Sequence, residues 1–262
     1  MKILLSLLLL SGCLHNDTTV KKSKLLASDY RLFYGTPAEK LAKAVIEEDT
    51  MSIRMYSGKN GGFIDFREPA YGVTLLHIAI YQRKYASVKY LLEHGADPNR
   101  QDNTAGESAV MEAADLGIAR NGLNTTDSRF LMMTLKHGGN PNSITKNDPH
   151  NKKQFHSTAL INACRCGALD YVRILIASGA NVNLKTEDGY SPLCAAAIQG
   201  NPEIVRYLLG IGADFNQPLI TTIDGKKVYL LNVVSDMNFP KGSKDFQIKN
   251  EIVQFLKERN AK

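Results

Sequence analysis

The side chains here that could do chemistry are four cysteines, six histidines and one glycine-rich lysine loop, and their spacing decides which chemistry is open. Cys164 and Cys166 stand two residues apart, so on a helix they point to different faces and cannot bridge each other. A metal would want further Cys or His beside them at ligand spacing, which the sequence lacks. Cys164 and Cys194 read as small apolar core residues, and a pairing of Cys166 with Cys194 is left open. His150 and His156 share a polar stretch with Asp148, where zinc is chemically conceivable but a solvated loop is the simpler reading. Gly58-Lys59-Asn60-Gly61-Gly62 lacks the spacing and the Lys-Ser/Thr pair of a phosphate loop. No serine sits in a nucleophile elbow, and no Cys–His pair is suggested by spacing. The expectation is therefore no enzyme, no metal and no cofactor. That leaves Cys13, which closes a short apolar run: Met1-Lys2, then Ile3–Leu10 with Ser6 its one polar residue, then Ser11 and Gly12. The run is too short to cross a bilayer core of roughly 30 Å, which needs about 20 helical residues.

A charged start, an apolar run and a small-residue end form a secretory leader pattern. Leu10-Ser11-Gly12-Cys13 also resembles the bacterial lipobox, an aliphatic residue, a small residue, Gly or Ala, then Cys. The resemblance implies that diacylglycerol is attached to the Cys13 thiol, that residues 1–12 are removed, and that the freed amine is acylated. Several acyl chains, at about 0.8 kcal/mol per buried methylene, would hold the protein on a membrane with negligible release. Leu14 stands where an Asp would imply retention in the inner membrane, so the resemblance implies an outer-membrane anchor facing the periplasm of a Gram-negative bacterium. Residues 13–36 would be a tether, polar at first, spanning on the order of 25–30 Å. Its later part, "YRLFYGT", is expected to fold onto the first helices after it. The chain has 32 basic against 26 acidic residues, and Lys2 goes with the leader. That modest excess suits an acidic protein or an anionic membrane, and a chain leaving the cytoplasm excludes nucleic acid.

The elements that must position any site repeat along the chain. Ser157–Asn183 and Tyr190–Asn216 match with corresponding residues 33 apart: Thr158 with Ser191, Gly167 with Gly200, Gly179 with Gly212. Val73–Asn99 is a third copy, and Gly106–Gly117 with Phe130–Asn142 an irregular one carrying about nine extra residues. Thr74, Thr158 and Ser191 sit where a first helix would begin, their hydroxyls able to cap its free amides. Val88/Leu91/Leu92, Leu131/Thr134/Leu135, Val172/Leu175/Ile176 and Val205/Leu208/Leu209 make one apolar face at helical spacing. Ala113-Ala114, Ala163-Cys164 and Ala196-Ala197 let neighbours approach closely, while Gly95, Gly138, Gly179 and Gly212 end the second helices. Period and the run Thr74-Leu75-Leu76-His77-Ile78-Ala79 resemble the ankyrin repeat. The expected fold is all-α, an ankyrin-repeat solenoid over 37–262. Its repeats are expected near 70–102, 103–145, 154–186 and 187–219, with capping units at 37–62 and 225–262. His77 would make a structural hydrogen bond, His94 and His137 would suit helix C-termini, and "MNFPKGSKDFQ" reads as an insertion.

Stacked repeats present an extended surface rather than a deep pocket. The resemblance implies partner contact at finger tips and at the free positions of the first helices. In the first copy these are Tyr71, Val73, Tyr81 and Gln82; in the second, Thr104, Glu107, Asp115 and Leu116. Phe155, Ser157, Arg165 and Cys166 follow in the third, and Glu187, Asp188, Tyr190, Ile198 and Gln199 in the fourth. Aromatics and arginine at several of them favour a protein ligand over a small molecule. Anchored ankyrin lipoproteins resemble periplasmic immunity proteins that block phospholipase effectors of type VI secretion. Loops at 118–124, 146–155 and 237–246 would suit recognition of one toxin. A constitutive envelope scaffold binding another periplasmic protein is the alternative.

Overall fold

The computed structural model describes residues 25–58, 62–117, 127–145, 156–187, 189–222 and 224–259. Cys13, the start of the tether, the Lys59–Gly61 part of the glycine-rich loop, and the stretches 118–124 and 146–155 lie outside them. The contacts divide the chain into two compact units, Met1–Gly95 and Ala96–Lys262.

In the first unit a 3-10 turn, Tyr30–Phe33, precedes α1 (Glu39–Glu47), α2 (Thr50–Tyr56), α3 (Leu75–Tyr81) and α4 (Tyr85–Glu93). Helix α3 has seven residues, far below the length at which a helix holds alone in water. Its stability comes from burial: Leu75, Leu76, Ile78, Ala79 and Ile80 are all buried. Thr74 and His77 close its start, the Thr74 N–H donating to His77 Nδ1 at 3.3 Å with Thr74 Oγ1 2.9 Å from the same nitrogen. His77 is expected to bond an adjacent turn; these bonds instead tie it to the cap of its own helix. Glu48, in the left-handed region at φ 56°, reaches forward so that Oε1 accepts from the Ala86 N–H at 2.8 Å. A carboxylate there satisfies a free amide in the first turn of α4, at the positive end of its dipole. Ser87 Oγ donates to the Val45 carbonyl at 2.6 Å, so the α1–α2 pair is stitched to the repeat behind it.

The second unit continues the helix pairs: α5 (Ala109–Gly117) with α6 (Arg129–Lys136), α7 (Ala159–Arg165) with α8 (Leu169–Ala177), and α9 (Pro192–Ile198) with α10 (Pro202–Gly210). Helix α7 packs between α5 and α9. Ala113, Ala114, Ala163, Cys164, Ala196 and Ala197 are essentially inaccessible, which is how the small pairs allow that approach. Thr158 Oγ1 accepts from Ile161 N and Ser191 Oγ from Cys194 N, both at 3.1 Å, as the capping pattern requires. Gly95, Gly138, Gly179 and Gly212 have φ between 87° and 94°, where any β-carbon is strained.

Two features depart from the sequence reading. A short antiparallel hairpin joins β1 (Ile220–Thr221) to β2 (Lys227–Val228), so the chain is not purely helical. After α11 (Leu230–Asp236), α12 runs from Lys244 to Glu258. It therefore takes in Lys244–Gln247 of the expected insertion. The reason is local: Ser243 Oγ accepts from Phe246 N at 3.2 Å and starts the helix early.

Candidate protein-binding surface

In the second unit, the positions expected to face a partner converge on a side chain that the repeat spacing does not single out. Asn162, inside α7, is buried, and both ends of its amide are used. Its Nδ2 donates to Asp115 Oδ1 on α5 at 3.1 Å. Its Oδ1 accepts from Ser157 Oγ at 2.6 Å and from Arg165 Nη2 at 3.0 Å. A buried amide satisfied in this way is stiff, and it holds the exposed guanidinium of Arg165 with donors left over. Asp115, Ser157 and Arg165 thus form one polar cluster across two repeats. Cys166, beside it, is exposed; partial burial pushes its thiol pKa up, Arg165 opposes that and Asp115 adds to it.

The finger before α5 is organised by Asp102, whose Oδ1 accepts from Thr104 N at 2.8 Å, Thr104 Oγ1 at 2.9 Å and Gly106 N at 3.0 Å. Its N–H donates to the Glu107 carbonyl at 3.0 Å, which places Thr104 and Glu107 on one tip. In the fourth copy the Thr186 N–H donates to the Tyr190 carbonyl at 2.9 Å and the Tyr190 N–H to Thr186 Oγ1 at 3.2 Å, closing the next finger. Glu187 is exposed on it, its Oε2 3.8 Å from His156 Nε2. Ile198 and Gln199 are exposed at the end of α9. Asp188 and Phe155 lie outside the described residues, as does the side chain of Leu116.

The first copy, in its own unit, departs most from expectation. Val73 is 4% exposed, so it is a core residue and not a contact. The chain turns inward there to start α3, and the position that the family resemblance left free is taken into the core. Tyr71 donates its hydroxyl to the Leu25 carbonyl at 2.9 Å, and Gln82 Nε2 donates to the Ser28 carbonyl at 3.1 Å. Tyr81 is 43% exposed.

No group of three or more His, Cys, Asp or Glu among the described residues could hold a metal ion. Cys164, Cys166 and Cys194 are unpaired. Burial pushes the thiols of Cys164 and Cys194 up, as expected for inert core sulfur. His94 and His137 donate through Nδ1 to the carbonyls of Tyr90 and Met133, each at 2.8 Å, and so occupy helix C-terminal carbonyls.

Sequence reasoning also passes over a ladder. Asn99, Asn142 and Asn183 recur at the end of each copy, and each reaches to the next. Asn99 Nδ2 donates to the Gly138 carbonyl at 2.9 Å while its Oδ1 accepts from Asn140 N at 2.6 Å. Asn142 does the same with Gly179 at 3.0 Å and Asn181 at 2.7 Å, and Asn183 with Gly212 at 3.4 Å and Asp214 at 2.8 Å. Recurrence at a fixed distance after the helix-ending glycine is the signal that could have found it.

Short helix pairs bonded in register, with satisfied polar clusters on their free positions, define a helical repeat scaffold for binding. Two ankyrin-repeat family models match the chain, one of single repeats at residues 71–103 and one of three copies at 119–218, together just over half of its length. The protein belongs to the ankyrin-repeat family. It is similar to an ankyrin repeat domain from Acinetobacter baumannii AYE, 29% identical with a TM-score of 0.62, over 85% of this chain and 98% of that one. Among curated proteins it is similar to the B-cell lymphoma 3 protein homolog of Mus musculus, 31% identical over 60% of this chain and 32% of the relative. The palmitoyltransferase AKR1 of Lachancea kluyveri is 27% identical over 67% of this chain and 21% of its own. The chain thus spans a third or less of these curated relatives. Ankyrin repeats generally mediate protein–protein interaction and are typically non-catalytic scaffolds.

Proposed function

We propose that this protein is a lipid-anchored periplasmic binding module at the outer membrane, and that it acts as an immunity protein, blocking a phospholipase-class effector of type VI secretion. The observation that carries the binding part is the convergence of Asp115, Ser157 and Arg165 on the buried Asn162, which presents a rigid, charged and hydrogen-bonding surface to a partner. The anchoring part rests on Leu10-Ser11-Gly12-Cys13, and the immunity part on the logic of location: a toxin that attacks phospholipid must be met at the membrane. An inhibitor acting by stoichiometric contact needs surface complementarity and no chemistry of its own. The test has three arms in the native host. Mass spectrometry of the mature protein should find Cys13 acylated at its N-terminus. Affinity capture from periplasmic extract should recover a secreted lipase or other effector. Deletion should be silent until sister cells deliver the toxin. Capture of envelope assembly factors alone, with an envelope defect in isolated culture, would instead establish the constitutive scaffold.

A further inference from the structure

The first repeat carries a contact site that the chain fills itself. The strap Leu25–Asp29 turns back on itself, the Asp29 N–H donating to the Leu26 carbonyl at 2.9 Å. The Leu25 side chain is buried, whereas Leu26 is 73% exposed. Two carbonyls of the strap, three residues apart, are read by side chains at partner-facing positions: Leu25 by the Tyr71 hydroxyl and Ser28 by the Gln82 amide. Those bonds, together with the burial of one leucine side chain, are what a peptide-recognition site uses. The residues that follow the strap are held differently. Leu32 and Phe33 are fully buried, and Asp29 closes the 3-10 turn with hydrogen bonds from the Arg31 backbone and guanidinium at 2.9, 3.0 and 2.7 Å. Leu32–Phe33 thus fixes the chain on one side of Leu25–Asp29, which itself is held by one buried leucine and the two hydrogen bonds to Tyr71 and Gln82.

We infer that Leu25–Asp29 is a displaceable strap that closes, in cis, a peptide-accepting site formed by Tyr71, Gln82 and the place where Leu25 is buried. The partner segment that fits is a turn of the same chemistry, a leucine whose carbonyl and that of the third residue after it face the two donors. Such a segment must compete with a covalently attached rival, so the site is masked until the partner supplies enough binding elsewhere. The proposal stands whether or not the toxin reading does.

The test uses the full chain and a peptide of residues 25–31, LLASDYR, cyclised head to tail to favour the turn. In the Leu25→Asp variant, amide exchange at Asp29 should accelerate at least tenfold, with amides of α3 and α4 unchanged. Added at millimolar concentration, the peptide should shift the side-chain amide NMR signal of Gln82 in that variant and leave the wild type unmoved. A Tyr71→Phe, Gln82→Ala double variant keeps Leu25 and the core intact, and should loosen the strap in the same way. Acceleration of α3 and α4 together with the strap in both variants would overturn the proposal, because the strap would then be an integral part of one folding unit. So would an opened variant whose Gln82 signal ignores the peptide.

Discussion

Arg83 holds a left-handed backbone, φ 57°, two residues past the end of α3. The corresponding residues of the third and fourth copies are Gly167 and Gly200, at φ 75° and 71°. An L side chain in that region costs about 1–2 kcal/mol, against about 0.5–1 kcal/mol for glycine's greater loss of chain entropy. Arg83→Gly should therefore be more stable than Arg83→Ala, which loses the same guanidinium, by about 0.5–1 kcal/mol, roughly 2 °C in Tm on a thermal melt. The cysteines permit a second check at this scale. Cys164 and Cys194 are inaccessible, with thiols that burial keeps protonated, whereas Cys166 is exposed. Of these three, alkylating reagent on the native protein should modify Cys166 alone, read by peptide mass mapping. The other two should react once the fold is opened with denaturant. Modification of Cys194 at the rate of Cys166 would contradict the packing of α9.

At the scale of elements, what is legible in the sequence is what repeats locally. Caps, helix-ending glycines and small-residue pairs each depend on a few neighbouring residues, so Thr158, Ser191 and Gly179 do what their types require. What depends on a distant partner is hidden. Val73 is counted free only by its place in the repeat pattern, and nothing near Tyr71 or Gln82 announces that Leu25 and Ser28 lie against them. Asn162 has the same character, an unremarkable residue of the first helix until Asp115, 47 residues away, is placed beside it. Gly139 makes the point quantitatively. Its neighbour Gly138 is required for its φ, but Gly139 is required for space: an added β-carbon would stand 2.4 Å from Val110 Cγ2 and 2.7 Å from the Thr134 carbonyl oxygen. One of those atoms is backbone and cannot swing aside. Gly139→Ala should cost about 2–3 kcal/mol by overpacking, seen as a lowered urea midpoint. The change should cost more there than the same substitution at an open surface position.

Across the whole molecule, stability in a repeat array is approximately the sum of what each repeat contributes and what each interface adds. The asparagine ladder of the second unit is the polar part of that interface term. Each rung gives one amide two jobs, donating to a helix-ending glycine carbonyl and accepting from the backbone two residues on, as Asn142 does with Gly179 and Asn181. Both receiving groups lie in the loop just after a helix, where no helical bond satisfies them, so a lost rung exposes them with no local substitute. Loss of one net hydrogen bond costs about 0.5–1.5 kcal/mol, so Asn142→Ala should lower stability by about 1–2 kcal/mol. Asn183→Ala should cost less, because its bond to the Gly212 carbonyl is long at 3.4 Å. Since the rungs lie at different interfaces, Asn99→Ala and Asn142→Ala should add to within about 0.5 kcal/mol when combined. The urea transition of the double variant should also broaden, as repeats begin to open one at a time. Equal costs at all three rungs, with a transition as steep as in the parent, would mean that apolar packing alone couples the repeats and that the ladder merely decorates it.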